Sequence, residues 1–100
     1  MSVAGIWDLT IATRLGDIKV VLELQQDDGV LTGTARASGK KRPLDDLEFD
    51  GELLSWRQTL TRRLMRLDLA FAMTTEGDRM SGTCVTGRFP AVHVAGARRA

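Results

Sequence analysis

The chain has 100 residues, with Lys+Arg 14 against Asp+Glu 13, one His, one Cys and 43% hydrophobic residues. That is one domain with room for one compact core and at most one modest pocket, which excludes a second catalytic or cofactor domain. A formal net charge of +1 gives no electrostatic reason to expect a nucleic acid or an anionic membrane as partner. One cysteine cannot close an internal disulfide, and the opening MSVAGIWDLT lacks the charged and long apolar regions of a secretion signal, so a cytoplasmic location is expected. No apolar run approaches the roughly 18 residues that a membrane helix needs.

In chain order, the punctuation is that of hairpins. Two-residue turn signals stand at Gly16-Asp17, Asp28-Gly29, Asp50-Gly51, Gly77-Asp78 and Gly87-Arg88, each between apolar-rich stretches. Asp-Gly suits a type I′ turn, in which both central residues take φ > 0, and Gly-X suits type II′. Strands are expected near 5–15, 18–26, 30–37, 43–49, 52–60, 63–75, 79–86 and 89–98. Between the third and fourth, Ser38 to Pro43 reads as a basic, mobile loop, whose Lys40, Lys41 and Arg42, with Arg62 and Arg63, either serve solubility or flank one barrel mouth and attract an acidic ligand. A tight turn is placed at Thr61-Arg62. A helix through Trp56, Leu60, Leu64, Leu67 and Phe71 competes with the sixth strand, but Met65, Leu67, Leu69, Phe71 and Met73 alternate strictly, which decides for a strand. Eight strands linked by hairpins predict an all-β, antiparallel up-and-down barrel, because closure removes the edges of an open sheet.

A two-residue turn fixes which residues face each other, and a one-residue slip inverts every side chain. The turns predict that Leu15 faces Ile18, Leu24 faces Gly33, Leu47 faces Leu54, Asp45 faces Trp56, Trp56 faces Leu67, Met73 faces Gly82, Phe71 faces Cys84 and Gly82 faces His93. The resulting inward set runs through Trp7, Leu9, Ile11, Ile18, Val20, Leu22, Leu24, Leu31, Leu47, Phe49, Leu54, Trp56, Leu60, Met65, Leu67, Leu69, Phe71, Met73 and Met80. Strands three, seven and eight instead point Gly33, Ala35, Ala37, Gly82, Cys84, Ala91, Ala95 and Ala97 inward. Small side chains on facing walls predict a hollow able to hold one small ligand, unless large neighbours fill the same space.

Polar residues in the inward phase are few. His93 falls on the small-residue wall, where an unperturbed pKa of about 6.5 suits proton transfer or a hydrogen bond to a ligand carbonyl. Asp45 against Trp56 is a second candidate acid or base, Gln58 a polar anchor, and Cys84 a packing residue. One His and one Cys cannot build a metal site, and no glycine-rich phosphate loop precedes a helix, so neither metal nor other cofactor is expected.

The segments GIWDLT, LTGT, DGELLSW, GDRMSGT and AVHVAGAR together resemble a largely uncharacterised family of small bacterial calycin-like barrels, similar in architecture to avidins and lipocalins. The G-x-W start and the L-T-G-T strand are the avidin-like features. The Tyr, Ser and Asn pattern by which avidins hold biotin is absent, so biotin is not carried over. The resemblance implies a ligand site in the barrel mouth.

Two functions follow from this reading. The first is binding of a small hydrophobic or aromatic molecule by Trp7, Trp56, Gln58, Phe71, Met73, Met80, Cys84 and His93. The alternative is a cofactor-independent isomerase, cyclase or lyase that moves a proton on an apolar carbonyl substrate through His93, with Asp45 in support. The outward phase carries Val3, Val21, Leu53, Leu64, Val85, Val92 and Val94, enough apolar surface for a homodimer contact.

Overall fold

A computed structural model of the chain describes residues 3–62, 65–87 and 89–99. The chain is all β: β1 (Gly5–Thr13), β2 (Gly16–Asp27), β3 (Val30–Ala37), β4 (Lys40–Pro43), β5 (Asp45–Phe49), β6 (Leu53–Arg62), β7 (Met65–Glu76), β8 (Arg79–Thr86) and β9 (Val92–Arg98). They form one antiparallel nine-stranded sheet in the order β4-β3-β2-β1-β9-β8-β7-β6-β5. The first and last strands pair, as an up-and-down barrel requires, and the sheet is nearly closed. Its seam lies where β4 passes into β5. There Leu44 donates its backbone N–H to the Gly33 carbonyl at 3.0 Å, so a single bent stretch of chain borders β3 first and β6 afterwards.

The ninth strand arises from the basic segment expected to be a loop. Ser38 and Gly39 both take positive φ, 53° and 77°, the geometry of a type I′ turn, and fold Lys40–Pro43 back on β3. Lys, Arg and Pro along the free side of a strand discourage pairing with another sheet, which is how a short edge stays soluble. On the other side of the seam, Asp46 takes φ 50° at a register shift between Asp45 and Glu48, a bulge that bends β5 toward β6.

The turns divide into those placed correctly and those displaced. Asp28-Gly29 and Gly77-Asp78 hold the expected registers, Leu24 facing Gly33 and Phe71 facing Cys84. The first hairpin instead turns at Arg14-Leu15, so that Ile11 faces Ile18 and Leu15 is 100% exposed. Asp50 closes the β5–β6 turn one residue later than expected, its Oδ1 accepting the backbone N–H groups of Glu52 (2.9 Å) and Leu53 (2.7 Å), and Phe49 faces Leu54. Trp56 faces Phe71 in place of Leu67. Thr61 and Arg62, expected to form the turn, instead end β6, paired with Arg66 and Met65, and residues 63 and 64 lie outside the described residues. In the first and β6–β7 hairpins the slip is an even number of residues, so the inner faces survive.

The last connection breaks that rule. Residue 88, of the expected Gly87-Arg88 turn, lies outside the described residues; after it Phe89 donates its N–H to the Thr86 carbonyl at 2.9 Å, and Pro90 has no N–H to extend a ladder, so β9 begins only at Val92. Cys84 consequently faces Val92, Gly82 faces Val94 and Thr83 faces His93. That odd slip inverts β9. Val94 is fully buried, while His93, Ala95 and Ala97 stand on the outer face. Val3 is likewise buried and Val92 half-buried, so these three valines leave the outward apolar set expected for a dimer.

The core is formed by Val3, Trp7, Leu9, Ile11, Leu22, Leu24, Ala35, Leu54, Trp56, Phe71, Met73, Met80, Cys84 and Val94. The small residues do not leave the expected hollow. A Cβ on Gly96 would lie 2.3 Å from Leu9 Cδ2, and one on Gly33 would lie 2.7 Å from Leu24 Cδ2. Leucine side chains already occupy those spaces. Among the described residues no helix is long and apolar enough to cross a membrane.

Candidate functional site

Antiparallel connectivity gives the barrel two ends. The lower end collects the β2–β3, β5–β6 and β7–β8 turns together with both ends of the described chain, and the upper end collects the other connections. Side chains of the inner face differ sharply between them. Below, Trp7, Leu22, Leu54, Met73 and Val94 are fully buried. Above, on the same face of the same strands, Val20, Gln58, Leu67, Leu69, Thr86 and Val92 are half-exposed, and Ile18 is 47% exposed. Alternation puts all of these residues toward the interior, so the accessible ones line an opening.

The lower end is plugged. Trp7 donates its indole N–H to the Val3 carbonyl at 2.9 Å, satisfying its one buried polar atom. Arg98 lies over the Trp7 ring, 4.5 Å from its centroid, and donates from Nε to Asp78 Oδ1 at 2.9 Å and from Nη1 to the Ala4 carbonyl. A small cavity of about 220 Å³ remains between Val3, Trp7, Phe49, Thr75 and this arginine. A second hollow, of about 500 Å³, is a groove on the outer face along β5 to β8, bordered by Asp46, Glu48, Arg57, Thr83 and Val85 and touching Trp56 and Phe71 between them.

The floor of the upper opening is aromatic. Trp56 and Phe71 face each other across β6 and β7, their rings stacked at 4.7 Å and 10°. Such a pair contributes about 0.5–1.5 kcal/mol beyond its buried area. The Gln58 amide oxygen accepts the Trp56 indole N–H at 3.4 Å from the position above. Cys84, beside Phe71 on β8, has its thiol pKa pushed up by burial, so it stays protonated and unreactive.

The expected site residues therefore separate into three groups. Gln58 is half-buried at the upper opening, and Trp56, Phe71 and Cys84, at 2%, 4% and 4% exposure, are buried directly beneath it. Trp7, Met73 and Met80 are buried below it as packing. His93 and Asp45 are on the outside: His93 is exposed beside Thr83, and Asp45 is exposed opposite Arg57, not Trp56. Two further residues of the opening come from the basic segment expected to flank a barrel mouth, on a strand that the sequence did not show. Arg42 faces the buried Ala35 and Lys40 faces Ala37, and directly opposed residues project to the same side of a sheet. Leu44, two positions on, packs against the core. Both cations thus stand on the inner side of β4, at the rim. Reading 38–43 as a loop removed the alternation that would have shown it. Among the described residues no group of three or more His, Cys, Asp and Glu is placed to hold a metal ion.

Comparison with protein families, with curated proteins and with solved structures finds no match to this chain. The nearly closed antiparallel barrel is compatible with a calycin-like fold.

Proposed function

We propose that the protein is a calycin-like binding module that holds a small apolar or aromatic molecule in the upper mouth of its barrel, on the Trp56–Phe71 stack. One observation supports the reading: Val20, Gln58, Leu67, Leu69, Thr86 and Val92 on the upper inner face are half-exposed above the buried Trp56–Phe71 stack, whereas Trp7, Leu22, Leu54, Met73 and Val94 below are fully buried. Apolar side chains with one amide group, Gln58, to orient a ligand are the usual composition of a small-molecule site. The cysteine is unpaired, which supports a reducing, cytoplasmic setting.

Proton transfer inside the barrel is less well supported. His93 and Asp45 are both outside it, and the inner thiol, Cys84, is held protonated.

A neutral nitroaromatic quencher such as nitrobenzene tests the reading, because each half of the barrel carries one tryptophan. Saturable quenching should persist in Trp7→Phe, whose remaining indole lies beneath the mouth, and vanish in Trp56→Phe. Absence of saturable quenching in the parent protein, or loss in Trp7→Phe alone, overturns it.

A further inference from the structure

We infer that the ligand of the upper mouth is an amphipathic anion: an apolar body seated on Trp56 and Phe71, with a carboxylate or similar head group at Lys40 and Arg42. The inference rests on the mouth being the site, and goes further in stating the ligand's charge. Opposed pairing with Ala35 and Ala37, and the core packing of Leu44 in the same alternation, put both cations on the inner side of β4.

The other strands contribute no opposite charge. Among the described residues, the inner face of the upper half presents Ile11, Val20, Gln58, Leu69, Thr86 and Val92, and no carboxylate. The acidic groups of β5 are turned away, Asp46 and Glu48 lining the outer groove. Lys41, between the two cations in sequence, projects outward and pairs with Glu23 at 3.9 Å. Lys40 and Arg42 form no ion pair among the described residues. Two cations without a protein counter-charge, beside the half-exposed Val20, Leu69 and Val92 and above a buried aromatic pair, form a surface of matched polarity for a molecule with one charged end.

Decanoate and decanol share a chain and differ in charge, so their binding, followed by amide NMR shifts at Val20, Gln58, Leu69 and Val92, separates the possibilities. Decanoate is expected to bind roughly fivefold tighter than decanol at about 0.02 M salt, with the advantage lost near 0.5 M salt, the behaviour of exposed charge pairs. Lys40→Gln with Arg42→Gln should abolish the advantage by weakening decanoate binding to the level of decanol, and unchanged amide positions in β1 would show the barrel intact. Lys41→Gln should leave the advantage in place. Equal binding of the two molecules, or an equal loss in Lys41→Gln, overturns the anionic ligand while the mouth remains the site. Binding of neither, or shifts confined to the lower cavity, overturns both readings.

Discussion

Gly96 has no room for a side chain: its Cβ would meet Leu9 Cδ2 at 2.3 Å and Met80 Cγ at 3.0 Å. Gly96→Ala is therefore expected to cost about 1–3 kcal/mol, the usual cost of overpacking a filled core. Urea unfolding measures it, and an unchanged midpoint would mean that the lower half is not filled. Arg98 shows the reverse case, a charged side chain used as packing. Removing it in Arg98→Ala takes away the cation over the Trp7 ring, with an expected loss of about 0.5–2 kcal/mol, and should expose Trp7 to aqueous quenchers that do not reach it in the parent. Asp50 is expected to titrate below an ordinary aspartate, because the backbone N–H groups of Leu53 and Glu52 favour its charged form. Asp8 behaves alike through its hydrogen bond and charge attraction to Arg99. With folded pKa values below the unfolded value of about 3.9, their stabilisation is complete above that pH and is lost as pH falls through the folded values. Carboxyl carbon shifts in an acid titration would show both; an ordinary midpoint for Asp50 would remove the turn geometry drawn for it.

At the scale of the strand, parity was more legible than position. Alternation in β1, β2, β6 and β7 marks the inner face whichever residue forms the turn, so Trp7, Leu22, Trp56 and Phe71 were identifiable as interior before their partners were. Exact turns were harder, since Gly16 and Gly51 adopt positive φ in or beside a hairpin and composition does not say which residues occupy the tip. His93 was misplaced because a Gly-Arg signal looks like a two-residue turn, while Pro90 lengthens the connection and reverses the strand after it. The edge strand β4 was missed because its sequence is wholly polar or Pro, although that polarity is what protects an edge. Substituting Lys41→Val together with Pro43→Val should thus promote self-association, visible as concentration-dependent sedimentation. A monomer at all concentrations would show that this edge is shielded by other means.

For the whole molecule, the barrel is more tightly packed below than above, and its wall is held at the seam by a short stretch around Leu44. Amides of β4, paired on one side only, are expected to exchange with solvent well before those of β1, which lies between β2 and β9. Comparable protection of both would indicate a seam tighter than the single Leu44–Gly33 bond drawn here. The pairing of β1 with β9 has a different consequence. It brings the two ends of the described chain side by side, Arg99 donating its backbone N–H to the Ile6 carbonyl at 2.7 Å. A short linker could join them and new ends could be opened at the exposed residues 89–91, at no cost to any ladder. Such a circular permutant would keep the same barrel while moving its free ends from the plugged floor to the rim of the binding mouth, where a fused reporter would sense occupancy directly.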